Sequence, residues 1–283
     1  MPTNLIAITG ATGQQGGAVA HALLKAGHKI RAITRNPDGP AAKALAKQGA
    51  EIARAELDDV ASLRAALKGA WGVFGVQNTW TAGVEGEEAQ GHRLAKVAKE
   101  IGVQHYVYTS VASAHRKTGI PHFDNKARVE ETVRSVGFPS WAIIRPVFFM
   151  ENLLSPSFKP YIDKGSLAVG IKPGTRLQMI ALQDIGEYGR LAFERADLKG
   201  TALDIAGDEP TTPEAAAVLS KVAKRPITHF QVPIADVRKA SDDFATMLEW
   251  FDRVGYDVDI AANAKKYGVK PTKFADWAAA QAW

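Results

Sequence analysis

Through the first 145 positions, short apolar and β-branched runs alternate with longer segments whose apolar residues recur every three or four positions. The short runs predict strands at Leu5–Thr9, His28–Thr34, Glu51–Arg54, Gly72–Val76, His105–Thr109 and Trp141–Arg145. The longer period predicts helices over Gly16–Lys25, Ala41–Lys47, Val60–Leu67, Glu87–Glu100 and Phe123–Ser135. Gly27, Gly49, Gly69, Gly102 and Gly137 stand where such helices would end, and Asp59 is placed to cap the helix starting at Val60. Strands alternating with helices of this length imply parallel pairing through right-handed crossovers. The fold class is therefore α/β: a doubly wound parallel sheet with helices on both faces.

After Arg145 the rhythm breaks. Prolines at 146, 156, 160 and 173 mark an irregular stretch, followed by Leu177–Ile185 and a helix through Glu194. A strand is expected at Ala202–Ile205. Thr211-Thr212-Pro213-Glu214 then opens a helix with a Thr-x-x-Glu capping box. Trp250, Phe251, Phe274, Trp277 and Trp283 are expected to form the core of a smaller lobe. Two domains follow, residues 1–150 with the regular alternation and 151–283 as a smaller mixed α/β lobe, with exchange of segments between lobe and sheet left open. No internal repeat or low-complexity tract is visible.

The first strand runs into Gly10-Ala11-Thr12-Gly13-Gln14-Gln15-Gly16 and then an apolar-periodic helix. Strand, glycine loop and helix in this order form the context that a Rossmann dinucleotide-binding loop requires. Gly10 would permit the tight turn, Gly13 the backbone's approach to a pyrophosphate, and Gly16 the packing of helix on strand. Amides at the helix start would hold the anion. The second strand ends at Thr34, where an NAD-binding chain usually carries an acid for the ribose 2′-hydroxyl. Here Arg35 follows, a residue suited to a 2′-phosphate. NADP(H) is the expected cofactor, with NAD(H) left open. Asp38 lies in an Asn-Pro-Asp-Gly turn and reads as a turn residue.

Composition narrows the alternatives. The net charge is +5, yet 35 basic residues are scattered among 30 acidic ones, which argues against a nucleic-acid partner. No apolar run is long enough for a membrane span. Zero cysteines excludes disulfides, iron–sulfur clusters and thiol catalysis. That usage, with a first strand beginning at Leu5 and leaving no room for a cleaved leader, suggests the cytoplasm. His21, His28, His92, His105 and His115 show no zinc-ligand spacing, so no metal is expected. A hydrolase Gly-x-Ser-x-Gly elbow is absent, and Gly17-Ala18 stand where a P-loop needs Lys and Ser or Thr.

The glycine loop, Thr34-Arg35-Asn36-Pro37, Leu57-Asp58-Asp59, His122-Phe123-Asp124-Asn125-Lys126 and Glu151-Asn152-Leu153-Leu154 together resemble the NmrA-like family of atypical short-chain dehydrogenases. Within it, the likeness is to the HSCARG-type NADP(H) redox-sensor branch. The resemblance runs from Leu5 to about Leu154 and more loosely through Asp184-Ile185-Gly186 to Phe274-Ala275-Asp276-Trp277. It implies that Gly10, Ala11, Thr12, Gly13, Gln14 and Gln15 contact the pyrophosphate, and Arg35 and Asn36 the 2′-phosphate. By the same likeness Asp59 borders the adenine and Gln77 and Asn78 line the cofactor's middle. Lys126 reaches the nicotinamide ribose, while Phe149, Met150, Glu151 and Asn152 border the nicotinamide. The sequence departs after Pro37, where Asp38-Gly39 stand in place of the branch's further basic residues; this weakens the NADP preference.

Ordinary short-chain dehydrogenases use a serine and Tyr-x-x-x-Lys, the lysine easing proton exchange at the phenol. Ser110 ends the fifth strand in the serine's place and Lys126 stands in the lysine's, but His122 stands where the tyrosine belongs. An imidazole four residues before the lysine shares its helix face and can serve as an acid, or it can simply pack at the helix start. Two readings follow. One is an NADPH-dependent oxidoreductase acting on a small carbonyl or quinone-like substrate. The other is a non-catalytic NADP(H) sensor acting through a regulatory protein partner. The retained Ser110 and Lys126 favour the first, and the missing tyrosine the second. The reductase is the reading adopted. Substrate identity and oligomeric state are not encoded in any visible motif.

Overall fold

A computed structural model describes residues 4–283. The first part of the chain runs β1 (Leu5–Ile8), α1 (Gln14–Lys25), β2 (Lys29–Thr34), α2 (Pro40–Lys47), β3 (Glu51–Arg54), α3 (Val60–Leu67), β4 (Gly72–Gly75), α4 (Thr79–Glu100), β5 (His105–Thr109), α5 (Pro121–Ser135) and β6 (Ser140–Pro146). It continues as β7 (Phe148–Phe149), α6 (Lys159–Asp163), β8 (Ser166–Val169), β9 (Met179–Ile180), α7 (Leu182–Glu194) and β10 (Thr201–Ile205). The last elements are α8 (Thr212–Ala223), β11 (Thr228–Gln231), α9 (Ile234–Ala240), α10 (Asp242–Arg253), α11 (Ile260–Tyr267) and α12 (Phe274–Ala279).

The central sheet has seven strands in the order β10-β6-β5-β4-β1-β2-β3, and β1 to β6 pair in parallel. The order reverses between β1 and β4, where successive crossovers leave toward opposite faces. In open α/β sheets a ligand crevice lies at that reversal, outside the carboxyl ends of the strands. The expected doubly wound α/β architecture is the one observed.

Two compact units divide the chain. The first comprises residues 4–115, 121–145 and 185–203. On one face of its sheet, Leu63 and Leu67 of α3, Leu94 of α4 and Val129 and Val133 of α5 pack with Val73, Tyr106, Tyr108 and Ile143. On the α1 side, Gly186 and Gly189 of α7 lie against Ala18 and Val19, so close that an added Cβ would come within 2.7 Å of a backbone oxygen and 2.4 Å of a methyl group. From Ile185 onward the helix through Glu194 is thus part of this unit. Helix ends fall where expected: Gly27 and Gly102, for example, both take the left-handed φ, at 86°.

Two differences from the sequence expectation stand out. Helix α4 begins at Thr79 rather than Glu87, and Gly83 (φ 73°) interrupts it. The segment Thr79–Gly86 carries polar residues and glycines without an apolar period, so pattern alone could not extend the helix backward. The stretch after Arg145, expected to be irregular, contains β7, a short 3-10 turn at Met150–Leu154, α6 and β8. These elements are too short to show a period.

The second unit comprises residues 116–120, 146–184 and 204–283. It holds two small parallel pairs, β8 with β11 and β7 with β9. The capping box forms as expected: Glu214 N–H donates to Thr211 Oγ1 (3.3 Å), and Thr211 N–H to Glu214 Oε2 (2.8 Å). Trp250, Phe251, Phe274 and Trp277 are buried. Their rings contact one another and Tyr256 in two groups, Trp250–Phe251–Tyr256 and Phe274–Trp277–Trp283, with centroid separations of 5.0 to 5.8 Å. Among the described residues no helix is long and apolar enough to cross a membrane.

Candidate functional site

The site is built where β1, β2, β4 and β5 end. Thr9, just past β1, accepts from Val76 N–H through Oγ1 (2.9 Å) and lies 3.1 Å from the Val76 carbonyl, pinning the two strands at the reversal of order. Thr12 Oγ1 lies 3.3 Å from Thr34 Oγ1, so the loop is tied to the end of β2. Thr109 Oγ1 donates to Gln15 Oε1 (2.7 Å), tying the start of α1 to the end of β5. Three hydroxyls therefore fix the loop against its neighbours. This spends the Gln15 carbonyl on Thr109 and leaves its amide group.

The glycines are needed sterically. Gly10 has φ +59°, and Gly13 N–H donates to its carbonyl (2.9 Å) in the turn. A Cβ on Gly16 would fall 2.4 Å from Gly10 O and 2.8 Å from Thr9 O, both backbone atoms, so helix and loop touch without room for a methyl. Gly13 is the N-cap of α1 and offers no side chain to its first amides. Gly10, Thr12, Gly13 and Gln14 are exposed. The loop thus presents uncapped N–H groups at the positive end of a twelve-residue helix, an arrangement that suits an anion.

Arg35 and Asn36 are exposed at the end of β2, and Arg35 forms no ion pair among the described residues. Asn36–Gly39 closes a turn through Gly39 N–H to Asn36 O (3.3 Å), with exposed Asp38 inside it. Asp59 caps α3, its Oδ1 accepting from Ala61 N–H (2.9 Å). Its neighbour Asp58 is held by Arg93 (2.9 Å) and Gln90 (2.7 Å) of α4. Past β4, Asn78 caps α4 by accepting from Trp80 N–H (2.9 Å). Gln77 is buried, and neither end of its side-chain amide has a partner among the described residues. An orphaned buried amide is costly, and both ends of this one are free to hydrogen-bond a polar group.

At the start of α5, the structure separates the roles of the catalytic candidates. Lys126 is nearly buried, and its Nζ donates to Glu87 Oε1 of α4 at 2.6 Å. Glu87 also accepts from Asn125 Nδ2 (3.0 Å) and from the Thr79 hydroxyl. Burial opposes ionisation of Glu87, but the Lys126 charge and these hydrogen bonds outweigh it and hold the carboxyl below its ordinary range. His122 is buried, with its ring 5.5 Å from that of exposed Trp80 and edge-on to Phe123 at 4.9 Å. Ser110 is buried beside Glu130. Glu130 takes a two-pronged bond from Arg145 of β6 (2.7 and 2.6 Å) and a further bond from Arg134. This buried pair locks α5, and with it Lys126, to the sheet.

Glu87, Thr79, Asn125 and the Glu130–Arg145 pair carried no site assignment in the sequence. The available signal for Glu87 was weak: it opens the helix expected over Glu87–Glu100, but nothing in that period marks an acid for a partner on another helix. Phe149, Met150, Glu151 and Asn152 lie in the second unit. There Glu151 accepts from Leu182 N–H at the start of α7 (3.1 Å) and from the Trp277 indole (3.0 Å). Burial raises its pKa above the ordinary carboxylate range despite those bonds. Among the described residues no group of three or more His, Asp or Glu gathers as a metal would require.

The NmrA-like family profile matches residues 2–278. The chain belongs to the NmrA-like family. An NmrA-like family domain-containing oxidoreductase of Aspergillus hancockii, hkm9, is 38% identical over 168 residues, covering 56% of this chain and 50% of that protein. The chain thus spans about half the length of the first curated relatives it matches. A (4-alkanoyl-5-oxo-2,5-dihydrofuran-3-yl)methyl phosphate reductase of Streptomyces griseus is 27% identical with 98% of each chain covered. Among solved structures, the NADPH-dependent quinone oxidoreductase QOR2 of Escherichia coli, complexed with NADPH, superposes with a TM-score of 0.83 at 26% identity, covering 96% of this chain and 98% of that one.

Proposed function

We propose that this NmrA-like protein is an NADPH-preferring oxidoreductase that reduces a small carbonyl or quinone-like substrate. The observation that carries the reading is Lys126, on the helix that follows β5 and four residues after His122, held by the buried acid Glu87 of α4. The fit of a dinucleotide rests on three features of the chain: the methyl-excluding contact of Gly16 with the loop, the uncapped start of α1, and the orphaned amide of Gln77. Gly10 to Gln15 would hold the pyrophosphate, Arg35 and Asn36 the 2′-phosphate, and Asp59 would border the adenine. Gln77 and Asn78 would line the middle, with Lys126 at the nicotinamide ribose. The bound dinucleotide supplies the hydride; the protein supplies orientation and hydrogen-bond donors. The quinone and phosphate-ester reductases among its relatives support a reductase.

The test is loss of nicotinamide absorbance when the protein is given NADPH with a panel of quinones and aldehydes. Turnover that falls sharply in Lys126→Ala supports the reading; tight NADPH binding with no turnover across the panel refutes it.

One observation favours the second reading, a non-catalytic NADP(H) sensor working through a protein partner. His122, in the tyrosine's position, is packed between Trp80 and Phe123 rather than standing open as a proton donor. That reading expects full NADPH affinity without substrate reduction.

A further inference from the structure

A nicotinamide ring is positively charged when oxidised and neutral when reduced. A fixed charge beside it therefore discriminates between the two states. Lys126 alone would place a cation there and disfavour the oxidised form. In this chain the cation is paired at 2.6 Å with Glu87, whose side chain is 1% exposed and whose other oxygen is held by Thr79 and Asn125. The pair comes from two helices, and Asn125 Nδ2 also donates to the Val84 carbonyl (2.8 Å), so the acid is clamped rather than loosely associated.

We propose that Glu87 is a positioning and charge-compensating residue that sets the protein's preference between oxidised and reduced dinucleotide. This rests on the placement of Lys126 at the nicotinamide ribose in the proposed function. With Glu87 present, Lys126 acts as an aimed hydrogen-bond donor in a neutral pair. Without it, the ammonium becomes an uncompensated charge in a poorly solvated place, where one unit charge acts over several ångströms. Thr79 and Asn125 act through Glu87 by holding its second oxygen.

The experiment measures dissociation constants for NADP+ and NADPH by titration calorimetry on the full chain. Glu87→Gln keeps the shape and one acceptor but removes the charge. It is expected to raise the NADP+ to NADPH dissociation-constant ratio by about tenfold. That corresponds to a rise of about 30 mV in the potential of the bound two-electron couple. Glu87→Asp should keep the wild-type ratio. Lys126→Gln should move the ratio the opposite way, because the carboxylate is then the unpaired charge. The double variant should return to the wild-type ratio. If Glu87→Gln does not fold, the Lys126→Gln and double-variant ratios decide the matter. Equal weakening of both dinucleotides in every variant overturns the inference while leaving the proposed function standing. A wild-type protein that binds neither dinucleotide overturns both.

Discussion

Replacing Gly16 by alanine tests whether the loop and the first turn of α1 form one rigid cradle. The new methyl would sit 2.4 Å from Gly10 O, 2.6 Å from Gly10 C and 2.8 Å from Thr9 O. All three are backbone atoms, so no side chain can swing aside. Relief requires the turn of α1 to lift from the loop, at a cost of about 1–3 kcal/mol for overpacking. Alanine's better helix propensity returns at most about 1 kcal/mol. The steric term therefore wins by roughly 0–2 kcal/mol of stability. The larger effect falls on binding, because the lifted amides no longer converge on one anion. Losing one or two hydrogen bonds to a charged group weakens the dinucleotide by about 1.5–3 kcal/mol or more. Gly17, one residue on, is the internal control: its Cβ would stand 3.3 Å from Ala11 O, a contact that yields with a small shift. Gly17→Ala is expected within about 1 kcal/mol of wild type in stability, since propensity offsets the contact. Thermal melts and NADPH titrations of both variants give the comparison. A Gly16→Ala protein that melts and binds NADPH like Gly17→Ala would refute the cradle.

Arg35→Ala is expected to weaken NADPH by about 1.5–3 kcal/mol while leaving NADH nearly unchanged, and equal losses in parallel titrations would remove its 2′-phosphate role. Arg145→Met strands buried Glu130 without its two-pronged partner and should cost about 3–5 kcal/mol in denaturant unfolding; a cost under about 1 kcal/mol would mean that Arg134 suffices. The ionised forms of Glu87 and Glu130 are favoured by the fold, so their stabilisation is present above the ordinary value of 4.5 and lost as pH falls through their lowered folded values. Wild-type stability should therefore fall below about pH 4.5 more steeply than that of Glu87→Gln/Lys126→Gln, and parallel acid profiles would show that the buried pair does not govern this window. Buried His105 is held neutral by burial, its Nε2 donating to the Ala192 carbonyl (2.8 Å). Its contribution is full above the ordinary 6.5 and declines as pH falls toward its depressed folded value; His105→Asn should flatten that part of the stability profile, and an unchanged slope would contradict it.

The parts of this protein that could be read from its sequence are those in which the physics is local. Strand β3 and helix α3 match their expected limits because a β-rich run or a 3.6-residue period is complete within a few residues, and Asp59 caps α3 because a cap needs only its own next turn. Gly16 was legible for the same reason, as the third glycine at a fixed spacing. The Lys126–Glu87 pair was not, because it joins residues 39 positions apart on two helices and one of them lies just beyond a glycine break. No period or spacing marks an acid whose role depends on which helix faces it. The same holds for Glu130 and Arg145; Gln77 was reached only through the family resemblance, and its unpartnered amide shows only in the fold. The glycine loop specifies that an anion fits. The Lys126–Glu87 pair, by contrast, exists only once α4 and α5 pack side by side.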